Sequence, residues 1–335
     1  MDPATHLLAS YTLARAARSR IISRQMAVFL LAGLAPDMDG LWHLPTPLSP
    51  MRAYGTATHS LLGAGALAAA IAAVVWAAGR KRAATPPHLP RLLAAGFIAV
   101  ALHLLLDASA TAGIEPWWPL RPTRLAWNVA PAFDAVLVVS LTVFALLPLL
   151  LSMVKEEIGA HIDPRPQRGW PLVALVLLGA WLGLRAVLQH RAETLLSAAQ
   201  YNGLAPLHWG AFPSGSSPFT WRGVVETESF LAEVEVPVGT GRMFAPENLA
   251  PRYKPEPSAI VDAIAASPLA RAYTGLARFP ILSIESTAEG TRAQLREMGD
   301  SLLRSRNGAW TALIELDAQS RVTRQDVFYL AARPY

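Results

Sequence analysis

Residues 60–78 read SLLGAGALAAAIAAVVWAA and lie within a run of 27 residues, Ala53–Gly79, that contains no charged residue. An α-helix needs about 20 apolar residues to cross the hydrocarbon core of a bilayer, so this stretch is long enough to span a membrane. A large soluble helical core accounts for short apolar helices, but it does not account for an uncharged run of this length. The stretch therefore indicates an integral membrane protein.

Three further segments have the same character. Residues 92–112 are apolar except for His103 and Asp107, residues 135–154 carry no charge, and residues 171–188 carry one charge, Arg185. Two shorter apolar stretches joined by a basic turn predict a helical hairpin packed with these spans. The predicted fold is mainly α, a multi-span transmembrane bundle over residues 1–195 with a hairpin at 6–39 and spans at about 60–78, 92–112, 134–153 and 171–189.

The composition agrees with a membrane protein. Only 16% of the 335 residues are charged, against about 25% in an average soluble domain. Residues 1–150 hold eleven Lys and Arg and six Asp and Glu, whereas the remainder holds eighteen of each, so the net charge of +5 lies in the more apolar half. This distribution predicts a lipid bilayer as partner and no nucleic acid. The absence of cysteine means that any metal site uses His, Asp or Glu.

The loops alternate in charge along the chain. Residues 15–24, 80–91 and 155–168 together carry eleven Lys and Arg, while the intervening loops carry only Arg52, Arg121 and Arg124. By the positive-inside rule, basic loops of a membrane protein remain in the cytoplasm, so we expect the other loops to face outward.

The composition changes to that of a soluble domain after Arg191. Four segments have the β-branched alternation of strands, and residues 258–277 predict a helix that breaks at Pro268. Residues 196–221 are rich in Pro and Gly and predict a linker. The sequence therefore predicts a soluble α+β domain over residues 222–335, on the outward side if the fourth span crosses the membrane.

Ionisable residues within the apolar half indicate a functional site, because charges inside or beside membrane spans are costly. His103 and Asp107 are four residues apart, so a helix presents both on one face, where they can reach one cation. The predicted topology brings ligand-type residues from five segments to the outward face. The predicted metal ligands are His6, Asp37, Asp39, His59, His103, Asp107 and Asp134.

Nitrogen and carboxylate ligands without thiolates suit Zn²⁺ first, with Mn²⁺ or Fe²⁺ as alternatives. The set is larger than one tetrahedral zinc needs, so one or two ions are expected, with Asp39 or Asp107 as bridging and catalytic carboxylates. Such a site activates water against an ester or phosphoester. Other roles stay open: Asp37 and Asp134 also suit helix caps, His59 a packed imidazole, and His103 with Asp107 an intrahelical ion pair.

Four motifs carry a resemblance to a known family: MDPATH (1–6), LAGLAPDMDGL (31–41), TATHSLLGA (56–64) and ALHLLLDASATAGI (101–114). In this order, and with Asp134 after them, they resemble the bacterial membrane-bound metal-dependent hydrolases of the YdjM, or LexA-binding inner-membrane, type. The resemblance implies a multi-pass protein of the bacterial inner membrane. It also implies a hydrolase with metal ligands at the matched positions, which are His6, Asp37, Asp39, His59, His103 and Asp107.

The chain departs from that family at two places. Members usually carry His-Arg-Gly where this chain has Tyr54-Gly55-Thr56, and Asn and Tyr where it has Ala110 and Ala112. The H-x-x-x-D element is also similar to one in zinc-dependent phospholipase C and the S1/P1 nucleases, which suggests a phosphodiester or phospholipid substrate.

The function expected is that of a metal-dependent hydrolase acting on a small-molecule or lipid substrate. The alternative is a non-enzymatic membrane protein with a structural His/Asp cluster and a partner-binding C-terminal domain. A transporter is disfavoured, because its acids would be spread along a path through the membrane.

Overall fold

The structure is a computed structural model of the whole chain. It describes two compact units, one that ends at Arg185 and one that begins at Ala186. Within helices and strands, the side chains of residues 39–41, 149, 155–156, 305 and 331 are not described. The described residues are 1–17, 23–41, 57–80, 88–121, 123–158, 168–215, 217–288, 290–301, 303–305 and 308–331.

The first unit begins with two short helices, α1 (Pro3–Ala16) and α2 (Arg24–Leu34), followed by a 3₁₀ helix (Pro36–Leu41). The chain starts α1 at Pro3 because the carboxylate of Asp2 accepts a hydrogen bond from the backbone N–H of Thr5 at 2.9 Å. The hydroxyl of Ser23 caps α2 in the same way. The hairpin predicted at 6–39 contains α2, whereas α1 begins three residues before it.

Four longer helices follow: α3 (Leu61–Arg80), α4 (Leu89–Ser109), α5 (Ala135–Glu157) and α6 (Gly169–Ala198). All four contain stretches long and apolar enough to cross a membrane, which confirms the predicted helical fold. The chain allows α3 and α4 to approach closely because small residues line their contact. A Cβ on Gly96 of α4 would lie 3.1 Å from the carbonyl oxygen of Ala68 of α3, the kind of contact that holds membrane helices together.

In the second unit, the end of α6 packs on a four-stranded antiparallel sheet in the order β1-β2-β3-β4. Its β1 lies inside residues 196–221, which the sequence predicts to be a linker; the sheet therefore starts earlier than predicted. Gly210 and the flanking prolines interrupt the β-branched alternation that marks the other strands. The strands are β1 (His208–Pro213), β2 (Thr220–Glu226), β3 (Phe230–Pro237) and β4 (Ala250–Tyr253).

A second antiparallel sheet has the order β5-β6-β8-β7, with β9 paired to β8. Two short helices, α7 (Ala259–Ala266) and α8 (Pro268–Thr274), bury Ile264 and Tyr273 in one core with this sheet. The two helices meet at Pro268, as predicted. The unit is thus α+β, as expected from the sequence. Its strands are β5 (Pro280–Thr287), β6 (Gly290–Glu297), β7 (Arg304–Ser305), β8 (Gly308–Leu316) and β9 (Val322–Ala331).

Candidate metal centre

Five of the seven predicted ligands meet in the first unit. Ligand atoms of His6, Asp37, His103 and Asp107 all lie within 4.8 Å of one another. Nε2 of His59 lies 3.2 Å from Oδ2 of Asp107. The imidazoles of all three histidines are almost completely buried. We call these five residues the His/Asp cluster.

Asp107 lies at the middle of the cluster, with its side chain 6% exposed. Its Oδ1 is 3.1 Å from Nε2 of His6, and its Oδ2 is 3.1 Å from Nε2 of His103. The α-amino group of Met1 also donates a hydrogen bond to Oδ1. One buried carboxylate therefore faces three imidazoles from three segments of the chain.

Asp37 supplies a second carboxylate from the 3₁₀ helix. Its Oδ1 lies 3.7 Å from Nε2 of His59 and 3.8 Å from Nε2 of His103, beyond hydrogen bond distance. Its Oδ2 is buried and accepts no hydrogen bond from any described residue. Two acidic side chains thus face the same imidazole nitrogens.

The backbone fixes which nitrogen of His103 faces the carboxylates. Nδ1 of His103 lies 2.8 Å from the carbonyl oxygen of Gly33, which can only accept, so Nδ1 carries the proton. In the neutral ring Nε2 then has a lone pair, and this lone pair faces Oδ2 of Asp107. The two atoms approach to 3.1 Å, yet neither has a hydrogen bond to any described residue. Electron pairs that converge in a buried space fit a cation between them.

Local packing brings these segments together. A Cβ on Gly33 would lie 1.9 Å from the hydroxyl of Ser10, so glycine at this position lets α2 approach α1. His103 and Asp107 share one face of α4 through their i, i+4 spacing. The Oγ1 of Thr58 lies 3.1 Å from Nδ1 of His59, just before α3 begins.

The structure does not bring Asp134 to the cluster. Its Oδ1 accepts a hydrogen bond from the backbone N–H of Val136 at 3.0 Å and so caps α5. Its Oδ2 accepts a hydrogen bond from Nε1 of Trp181 at 3.0 Å and lies 3.7 Å from a guanidinium nitrogen of Arg185. Asp134 therefore caps a helix, which is the alternative role that the sequence left open. The geometry gives no support to Asp134 as a metal ligand.

Two other expectations concern residues that are only partly described. Asp39 lies in the 3₁₀ helix, but its side chain is outside the described residues, so its role stays a prediction. Tyr54-Gly55-Thr56, where the chain departs from the family pattern, also lies outside them. Sequence reasoning missed the carbonyl of Gly33, because a backbone acceptor has no signature in the sequence. It also missed the partner of Arg185, although a lone charge in an apolar span is itself a signal that an acid lies nearby.

The sequence profile of the YdjM inner membrane protein family matches residues 1–192, more than half of the chain. The match includes all seven predicted ligands and nearly all of the helical part. Searches of curated proteins and of solved structures gave no significant match. The chain therefore belongs to the YdjM inner membrane protein family.

Proposed function

We propose that this protein is a membrane-bound, metal-dependent hydrolase that acts on an ester or phosphoester. The observation that carries the proposal is the His/Asp cluster, in which three buried imidazole nitrogens and two carboxylates converge. His6, Asp37, His59, His103 and Asp107 would hold the metal, and Asp39 remains a further predicted ligand.

The donor set fits Zn²⁺ best, with Mn²⁺ and Fe²⁺ as alternatives, because it combines imidazole nitrogen with carboxylate oxygen and has no thiolate. Five ligand-type side chains exceed the three protein ligands of a typical catalytic zinc, so one or two ions fit. A bound divalent ion lowers the pKa of a bound water and polarises the scissile bond.

The residues of the cluster have separate roles in this proposal. Asp107 is contacted by three imidazoles and holds them in place, and the carbonyl of Gly33 keeps the lone pair of His103 directed inward. In hydrolysis a water oxygen bonds to the ester carbon or phosphorus, the ester bond breaks, and the leaving oxygen gains a proton. Oδ2 of Asp37 and Oδ2 of Asp107 both lack a hydrogen bond to a described residue, but Oδ2 of Asp107 already lies 3.2 and 3.1 Å from two imidazoles. We therefore assign to Oδ2 of Asp37 the role of accepting the proton from water.

We further propose that the cluster faces the extracytoplasmic side of the bacterial inner membrane, together with the C-terminal domain. The cluster comes from the start of α1, the 3₁₀ helix that follows α2, the residue His59 just before α3 and the end of α4. Arg15, Arg24 and Arg80 lie at the opposite ends of α1, α2 and α3. By the positive-inside rule these basic ends stay in the cytoplasm. A site at the outer end of a helical bundle suits a lipid or envelope substrate.

Metal analysis of the purified full chain tests the proposal. We expect one or two equivalents of a divalent transition metal in the wild type, and loss of most of it in His103→Ala because that change removes a buried ligand. His88→Ala is the matched control, because His88 is exposed at the start of the same helix. The control should retain the metal content of the wild type.

Two outcomes would count against this function. A wild-type protein that neither contains nor takes up Zn²⁺, Mn²⁺ or Fe²⁺ would contradict the metal centre itself. A protein that binds metal but cleaves no ester or phosphodiester lipid in vesicles, with any of the three ions, would favour the non-enzymatic alternative with a structural cluster.

A further inference from the structure

The second unit contains a cavity of about 350 Å³ that is lined by residues of both sheets. A volume of this size is at the lower end of the range for small-molecule sites. Its lining combines charged and apolar side chains, including three arginines and two glutamates. The charged members are Arg252, Arg296, Arg304, Glu233 and Glu297.

The two glutamates already have partners of their own. Glu233 accepts a hydrogen bond from a guanidinium nitrogen of Arg304 at 2.6 Å, which pairs the charges of both residues. Glu297 accepts hydrogen bonds from the backbone N–H groups of Arg278, Phe279 and Gly299 at 2.6, 2.9 and 2.7 Å. Burial raises the pKa of Glu297, while these three backbone N–H groups and the charge of Arg278 act in the opposite direction. Among the described residues, neither acid forms an ion pair with Arg252 or Arg296.

Arg252 and Arg296 are the two arginines of the lining that form no ion pair within the described part of the chain. Arg296 donates to the side-chain oxygen of Gln294, which is neutral, and its Nε is buried without a hydrogen bond to any described residue. Arg252 is exposed, and within the described part of the chain it forms no ion pair. Two guanidinium groups at one cavity suit a phosphate monoester, because a guanidinium donates paired hydrogen bonds to phosphate oxygens.

Thr311 provides a second, independent polar group. Its side chain is completely buried, lines the cavity, and leaves its hydroxyl without a hydrogen bond to any described residue. Arg296 of β6 and Thr311 of β8 are directly opposite in the sheet register, so their side chains lie next to each other on one face. Buried polar groups almost always have a partner, and two adjacent ones without a partner at a cavity indicate a ligand.

We propose that this cavity binds a phosphate monoester, with the phosphate contacted by Arg296 and Thr311 and with Arg252 at the rim. The apolar residues Ile281, Met298 and Leu330 line the rest of the cavity. These apolar side chains can pack against the carbon skeleton of a phosphate ester. Inorganic phosphate has no carbon skeleton and cannot make this contact. The site is separate from the His/Asp cluster, and the proposal does not rest on the hydrolase function.

Titration calorimetry on the purified full chain with glycerol 3-phosphate tests the site. We expect Thr311→Val to weaken binding by about 10-fold, because it removes one hydrogen bond to a charged group without changing the volume. Arg296→Gln should weaken it by at least about 10-fold. Arg292→Gln is the matched control, because Arg292 is on the same face of β6 but pairs with Glu315 at 3.0 Å. The control should bind as the wild type does.

A further probe, dihexanoyl phosphatidic acid, identifies the source of the phosphate, and inorganic phosphate is the reference ligand. Tighter binding of dihexanoyl phosphatidic acid than of glycerol 3-phosphate would support the proposal with a lipid headgroup as ligand, and the reverse would support it with a soluble ester. The proposal is overturned if the wild type binds neither glycerol 3-phosphate nor dihexanoyl phosphatidic acid. It is also overturned if inorganic phosphate binds as tightly as both esters, or if Thr311→Val and Arg296→Gln bind the esters as tightly as the wild type does. Since the Thr311 hydroxyl has no partner among the described residues, Thr311→Val should fold normally and keep the test valid.

Discussion

Asp107→Asn is expected to lower metal affinity and hydrolytic activity by at least about 100-fold while α4 stays folded. Replacing groups that only orient metal ligands already costs about 10- to 100-fold, and Asp107 contacts three of the proposed ligands directly. Asparagine has the same shape, so the change removes the charge and leaves the packing. Metal content and lipid ester cleavage are the measurements, with circular dichroism to confirm that the helices are intact.

The same variant distinguishes the two explanations of the cluster. If Asp107 is only an ion-pair partner of protonated histidines, Asp107→Asn lowers the stability of the fold but leaves metal content and turnover at wild-type levels. Asp262→Asn serves as control, because Asp262 is exposed on α7 in the second unit. Retention of metal and activity by Asp107→Asn would contradict a ligand role for Asp107.

The sequence predicted the helical part well because membrane spans depend on a property that is local. A run of apolar residues of sufficient length is visible without tertiary information, and all four predicted spans are helices long and apolar enough to cross a membrane. The i, i+4 pair His103 and Asp107 is equally local. The alternation of loop charge predicted which helix ends lie on the same side of the membrane. From this it followed that His6, Asp37 and His59 would lie near the pair His103 and Asp107.

Other features were not accessible from the sequence because they depend on tertiary contacts. Asp134 has the residue type and topological position of a ligand, and only the packing of α6 shows that Trp181 and Arg185 bind it instead. The hydrogen bond from His103 to the carbonyl of Gly33 depends on how α2 packs on α4. In the second unit the alignment of Arg296 with Thr311 depends on strand register, which composition does not encode.

The buried contact between α5 and α6 leads to the second large effect. Asp134 and Arg185 are both completely buried. The Nε of Arg185 donates to the carbonyl oxygen of Val129 at 2.7 Å, while a terminal guanidinium nitrogen lies 3.7 Å from the carboxylate of Asp134. The backbone N–H groups of Val129 and Ala130 donate to the carbonyl oxygen of Ser109 at 2.8 and 2.9 Å. Through Val129, Arg185 thus connects α6 to Ser109, the last residue of α4, which lies two residues after Asp107.

Arg185→Met is expected to destabilise the first unit by about 3–5 kcal/mol, because it leaves the carboxylate of Asp134 buried without its cation. Unfolding of the full chain in detergent micelles, followed by helical circular dichroism, measures the effect. Arg91→Met is the control, because Arg91 is exposed on α4 and its loss should change stability by less than about 0.5 kcal/mol.

The double variant Asp134→Asn/Arg185→Met separates a charge effect from a packing effect. Asparagine can still cap α5, and no unpaired charge remains at this contact, so the double variant should be more stable than Arg185→Met alone. Strictly additive losses would contradict the ion pair as the cause. The contact joins α6 to the residues that follow Asp107, so Arg185→Met should also weaken metal binding. The effect should be smaller than that of Asp107→Asn, because Arg185 acts on the cluster only through the position of α4.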